Sequence, residues 1–438
     1  MRAVCLIALV CGLTSTPARA QEPAQAQQPP QAQPASQTPP ATQTPSNAPP
    51  ATREAAIAAD RAEKQASLWP ERQNAMVDLV NGFAERGLKE GLDSGKGSNG
   101  IQGTLGGMRS AQGMSFGVGY RRSDFLRDHL GYRATVRGTM NGAYMVDFNA
   151  DFQGMKTERT YLKWYTKYEH SPEIDYFGIG NNTAESSRSS YRFDDFSSDF
   201  DGAWGPSRYV RLGLTGGYYQ AHTATSGEEG IPPINENFTP EQLPGFGNDT
   251  EYTRLGTFAY FDSRDSQTGP RSGGLYGVRY REYWDVQRKA FAFRQIEIEA
   301  QQYIPYFNRA RVLAFRAAVV LSYPKGDNAV PIYLQPMLGG SDELRGFVPY
   351  RFRDSHSLSL GAEHRWHAFS LVDMAIFADA GKVVALKRDV EPSHLHYNAG
   401  LGFRFRLRSA IVTRVDIAGS SEGLRFICTF SDIFNRRF

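Results

Sequence analysis

The residues best placed to do chemistry lie in LGGSDELRGF, Leu338–Phe347. Arg345 stands there between Leu344 and the pair Gly346-Phe347, with Gly339 and Gly340 shortly upstream. An arginine shielded by apolar neighbours needs an anion, because an unpaired buried charge costs several kcal/mol. Two downstream acids are candidates: Glu363 in SLGAEHRW, and Asp379 in FADAG, where Phe377 precedes and Gly381 follows it at a spacing of two. A guanidinium fork can bond both carboxylates at once. That chemistry is the anchorage of a loop and makes no bond. The plainer alternative is that Arg345 is a solvated loop charge.

The other candidates carry less. Asp262, Arg264 and Asp265 in FDSRDSQTGPRSGG, Phe261–Gly274, read as a charged cap that orders a turn, with Pro270 and Gly273 supplying its geometry. His394 and His396 share one face of a strand, but two histidines without a nearby third ligand do not make a metal site, so none is expected. The histidines have no persuasive serine partner, so neither a hydrolytic nucleophile elbow nor any other enzymatic or cofactor site is expected. GLDSGKG is one residue short of a phosphate-binding loop and follows no strand.

Glu363 and Asp379 can meet one guanidinium only if neighbouring elements aim both the same way. From about Gln112 onward, apolar and polar residues alternate in segments of roughly 9–14 residues separated by turn residues. The segments are 112–121, 130–139, 142–153, 159–169, 173–181, 190–202, 207–221, 251–262, 272–286, 291–304, 310–322, 356–367, 370–381, 394–407, 410–419 and 423–431. Val372, Met374, Ile376, Ala378 and Ala380 oppose Asp373, Phe377 and Asp379. Leu401, Phe403 and Phe405 oppose Asn398, Arg404 and Arg406; Val415 and Ile417 oppose Arg414 and Asp416. Arginines and acids together on the polar faces suit the wet lumen of a transmembrane barrel of about sixteen strands. Tyr161, Trp164, Tyr276, Trp284 and Trp366 suit its interfacial girdles. Connections alternate short and long: Met140-Asn141, Ser171-Pro172 and Gly205-Pro206 read as tight turns at one end, 222–250 and 323–355 as long loops at the other.

The chain of 438 residues carries a net charge of +3, which gives no reason to expect nucleic acid, and 22 Tyr, 27 Phe and 43 Gly favour an all-β protein. Residues 1–20 read as a signal peptide ending in Ala18-Arg19-Ala20. Cys5 and Cys11 leave with it, so Cys428 has no internal disulfide partner and reads as a packing residue. Residues 21–52 form a disordered Pro/Gln/Ala-rich spacer, 53–107 a short helical periplasmic segment with a Gly/Ser-rich end, and 108–438 the barrel.

The turn motif, the RGF loop, the acids on the next two strands and the aromatic final strand, with Phe426, Phe430, Phe434 and Phe438, together resemble the BamA/TamA-type, or bacterial surface antigen, outer-membrane barrel superfamily. The resemblance implies a barrel that inserts or translocates proteins at the outer membrane. It implies that the RGF loop folds into the lumen as a plug, with Arg345 on Asp379 and Glu363, and that first and last strands part sideways. Expected partners are outer-membrane lipid, unfolded or secreted protein clients, and the assembly machinery that inserts the chain itself. Residues 53–107 are too short for the POTRA module such proteins usually carry, which keeps open the alternative of a passive channel or structural barrel.

Overall fold

A computed structural model describes residues 99–430 apart from 107, 110–112, 127–128, 154–158, 227–229, 308–309, 370–371 and 408–409. The expected leader, spacer and helices, and Phe434 and Phe438, lie outside the described residues.

Sixteen strands form one antiparallel sheet in chain order. They are β1 (Gly100–Leu105), β2 (Ser115–Phe125), β3 (Leu130–Thr139), β4 (Tyr144–Gln153), β5 (Thr160–Tyr176), β6 (Ser189–Trp204), β7 (Val210–Thr225), β8 (Thr250–Asp262), β9 (Gly273–Asp285), β10 (Phe293–Tyr306), β11 (Arg311–Pro324), β14 (His356–Phe369), β15 (Val372–Val384), β16 (His396–Leu407), β17 (Ala410–Ser420) and β18 (Gly423–Thr429). Two short strands, β12 (Met337–Leu338) and β13 (Phe352–Arg353), pair with each other inside the loop between β11 and β14. The edges of the sheet come together: a Cβ placed on Gly106, just past β1, would lie 3.4 Å from Cβ of Phe430, just past β18.

The period of two sets both faces. Ile376, Leu401, Ile417 and Phe426 are cross-strand neighbours and all exposed, a continuous apolar row over four strands. One residue along each strand, the side chains turn inward and include buried Asp373, Asp379, Arg404 and Asp416. Exposed apolar rows outside and buried charge inside are the arrangement of a barrel in lipid. Trp164, Tyr276, Trp284 and Trp366 lie on the outward face, Trp164 stacked on Phe200 at 5.6 Å. Tyr161 shares the inward parity of buried Glu169 and does not join the girdle.

The strand count matches expectation through two errors that cancel. β1 lies in the stretch taken as connector, so the barrel starts at Gly100 and not at 108, and its first edge is 100–105 in place of 112–121. GIQGTL carries two glycines and little apolar alternation; pairing with β2 makes it a strand. The segments 159–169 and 173–181 are one strand, β5, with a register shift between Ser171 and Ile174. Pro172 donates no ladder hydrogen bond, and a bulge accommodates it, so Ser171-Pro172 is no turn. The extra first strand also moves Met140-Asn141 to the end that carries the long loops, 226–249 and 325–355. At that end Tyr176, Tyr191, Phe193, Tyr252, Phe293, Ile332 and Tyr333 belong to one buried apolar cluster, closing the loops onto the walls of β5–β10.

Replacing Leu401 with Arg places a charge in the outward apolar row. It is expected to cost about 2–4 kcal/mol in urea unfolding from lipid vesicles if the row lies at the bilayer midplane. A cost below about 0.5 kcal/mol would show that this row does not lie in the middle of the hydrocarbon layer.

Candidate functional site

The loop 325–355 enters the barrel and fixes RGF by three unlike devices. Gly339 and Gly340 turn the chain with φ of +113° and +90°, and Cβ on Gly339 would lie 2.2 Å from the carbonyl oxygen of Val348. Only glycine fits so close an approach in that conformation. Gly340 N–H donates to Phe347 O at 3.1 Å, closing the loop tip.

Arg345 is fully buried. Its Nε and Nη2 donate to Oδ2 and Oδ1 of Asp379, both at 2.8 Å, and Nη1 donates to Glu363 Oε2 at 2.9 Å. The guanidinium lies flat on Phe377, its Cζ 3.3 Å from the ring centroid. Burial works against the charge; the carboxylates of Asp379 and Glu363 more than offset it and hold Arg345 above its usual pKa, charged at any working pH. Gly346 touches the wall: a Cβ there would lie 2.5 Å from Asn398 Cβ, and its carbonyl accepts from Ser420 Oγ at 2.8 Å. Phe347 joins Leu338, Leu344, Phe352 and Val383 in an apolar cluster, edge-on to Phe352 at 5.3 Å. Gly381 makes room for that cluster, since its Cβ would lie 3.0 Å from Leu338.

The ionic site is larger than the three residues read from the sequence. Glu363 also receives Arg365 at 2.7 Å and Arg404 at 2.8 and 3.1 Å. Arg404 reaches on to Asp416, which lies 3.3 Å from Arg414 Nε. Asn398 donates to Asp379 at 2.9 Å. Four guanidiniums thus face the three buried carboxylates Glu363, Asp379 and Asp416, and Asp342 on the loop, 3.7 Å from Arg414, supplies the fourth negative charge. Arg404, Arg414 and Asp416 were visible on the polar faces; the link between them needs the register of β14–β17, which alternation does not give. Nothing local in the sequence singles out Arg351 or Arg353. Arg353, fully buried, donates to the carbonyls of Ile332 and Asp175, both at 3.0 Å.

In the turn between β8 and β9, Arg264 forms a fork on Asp262 at 2.9 Å and Asp265 accepts from the backbone of Arg271 and Ser272. Pro270 is buried, and Gly273 holds φ +89° with its Cβ position 2.1 Å from Ser263 O. Arg271 extends from this turn to Asp373 on β15 at 3.1 Å. His396 stacks on Phe352 at 4.0 Å and contacts Asn181 O at 2.7 Å, so it serves loop packing. Two stretches spell G-x-S-x-G, Gly113–Gly117 and Gly419–Gly423; the first leads into β2 and the second joins β17 to β18, so neither has the strand-to-helix turn of a nucleophile elbow. Cys428 is exposed on the outward face and does not pack in a core. Phe426 is exposed there too, beside half-buried Phe430.

The family model described as the Omp85 superfamily domain matches residues 100–418. The chain belongs to the Omp85 superfamily. Among solved structures it is similar to BamA from Haemophilus ducreyi lacking POTRA domains 1-3, with TM-score 0.56 and 14% identity over 77% of this chain and 71% of that one. It is also similar to CdiB from Escherichia coli, with TM-score 0.50 and 12% identity over 77% of this chain and 60% of that one. At such identity the likeness is one of fold. No curated protein matches the sequence. Membership places this Omp85 barrel in the outer membrane and in protein assembly or translocation at family level.

Arg345→Ala leaves buried Asp379 without a cation and is expected to lower stability by about 3–5 kcal/mol in urea unfolding followed by tryptophan fluorescence. Arg345→Lys keeps the charge but loses the fork and the stacking, and should fall between. A loss under about 1 kcal/mol for the alanine variant would mean that the loop is not anchored here.

Proposed function

We propose that this Omp85 barrel inserts or translocates proteins at the outer membrane, and that the loop 325–355 is its resting plug. The observation that carries the reading is Arg345, buried on Asp379 and Glu363 within the barrel. Such a site anchors a segment and holds no group for bond-making chemistry. Closure at the long-loop end supports it further: Asn181 accepts from Val383 N at 3.1 Å and Gly180 N donates to Arg353 O at 2.8 Å, tying the 177–188 loop to β15 and to the plug. A passive channel with an open lumen would have little use for such anchorage.

The working edge in this reading is the seam where β1 meets β18. A parted seam offers unpaired backbone N–H and C=O groups, on which an unfolded or secreted client can add a strand. Client pairing drives the step, with no nucleotide or cofactor. The outward aromatic end of β18, with Phe426 and Phe430, serves the chain's own insertion by the outer-membrane assembly machinery.

Arg345→Ala is expected to raise conductance in planar bilayers and to expose the loop to protease. A photocrosslinker at Ile101, 77% exposed on β1, should capture protein clients in cells. Unchanged conductance with the loop still protected would end the plug; steady conduction with no captured client would favour the passive channel.

A further inference from the structure

The plug touches more than the wall on which Arg345 lies. Its carbonyls and side chains also reach the terminal hairpin, β17–β18, at several heights. Arg414 on β17 donates to Ser341 O at 2.7 Å, and Ser420 at the end of β17 donates to Gly346 O at 2.8 Å. At the hairpin tip, Glu422 Oε1 accepts Arg351 Nε at 2.7 Å. Glu422 is held in place by its own backbone N–H, which donates to Ser420 Oγ at 3.1 Å.

Arg351 is a stiff connection. Only 3% of its side chain is exposed, and its guanidinium packs 4.8 Å from the Phe177 ring centroid and 4.7 Å from that of Phe352. Its Nη1 and Nη2 donate to Oγ1 and O of Thr183, at 2.8 and 2.6 Å. One guanidinium thus joins the loop between β5 and β6, the plug, and the tip of the hairpin that carries one edge of the seam. The Arg345 network does not include it.

We infer that Glu422 is a positioning residue that couples the plug to the seam, so that release of the loop and outward movement of β18 are one event. The inference rests on the plug reading and adds its regulation. A hairpin tip bonded to an immobilised arginine cannot swing outward until that charged bond breaks, and a loop leaving the lumen pulls on the same bond. Arg345 holds the loop to β14–β15; Glu422 passes its position to the edge strand.

The test is a cycle of Arg345→Ala and Glu422→Gln, each in a chain carrying Gly106→Cys, Phe430→Cys and Cys428→Ala. The 3.4 Å Cβ separation at this pair is at the short end of disulfide reach, and the strain of a cysteine at Gly106, φ +68°, is common to every chain compared. The rate at which the pair oxidises reads the closed seam. Glu422→Gln keeps the size of the side chain and removes its charge, and heat-modifiable gel mobility verifies that each variant folds. Coupling predicts that Arg345→Ala slows trapping about 5-fold or more in the parent and has little further effect in the Glu422→Gln chain, while Arg351→Met reproduces Glu422→Gln. Independent, multiplying effects of the two substitutions, or no effect of Glu422→Gln in a folded barrel, would overturn it. Conductance is read on the same variants: if Arg345→Ala leaves it unchanged the plug reading fails by itself, and if conductance rises while the trapping effects multiply, only the coupling fails.

Discussion

A guanidinium buried against the inner wall of a barrel is costly unless its donors find anions, and the architecture around Arg345 follows from meeting that requirement. Two acids on adjacent strands must face inward at matching heights. Asp379 lies opposite Gly361 and Glu363 opposite Phe377, so the two carboxylates project from one patch with an aromatic ring beneath. The loop must bring Arg345 down to that patch, and Gly339, Gly340 and Gly381 remove the side chains that would stop it.

The other charges follow from the same constraint. Two acids with one arginine would leave excess negative charge in a site of low polarity. Arg365 and Arg404 meet the spare lone pairs of Glu363, Asp416 answers Arg404, and Arg414 answers Asp416. These pairings carry the charge from β14 through β16 to β17, until Asp342 on the loop closes the balance. The loop and the strands β14–β17 are therefore one electrostatic unit.

Much of this was legible in residue order. Period-two alternation with charge on the polar side identified the barrel and its faces, because side chains in a strand must alternate and lipid accepts only one kind. Arg345, Glu363 and Asp379 could be singled out by type and by parity. What stayed hidden depends on pairing. β1 is written in glycine, glutamine and threonine, and only β2 beside it makes it a strand. The bulge at Pro172 looked like a turn because proline marks both. Arg404, Arg414 and Asp416 were seen as wall charges, but which acid meets which arginine is a matter of register between strands. Arg351 and Glu422 are 71 residues apart, and no local pattern announces their contact.

The anchored loop depends most on the bond between Arg345 and Asp379. A double-mutant cycle with Arg345→Ala and Asp379→Ala, measured by reversible unfolding in lipid vesicles, isolates it. A coupling energy of about 3 kcal/mol, the lower end of what breaking a buried pair costs, is the predicted result. A coupling near zero, with both single variants folded, would mean that the two groups do not meet inside the barrel and that the loop is not anchored by Arg345.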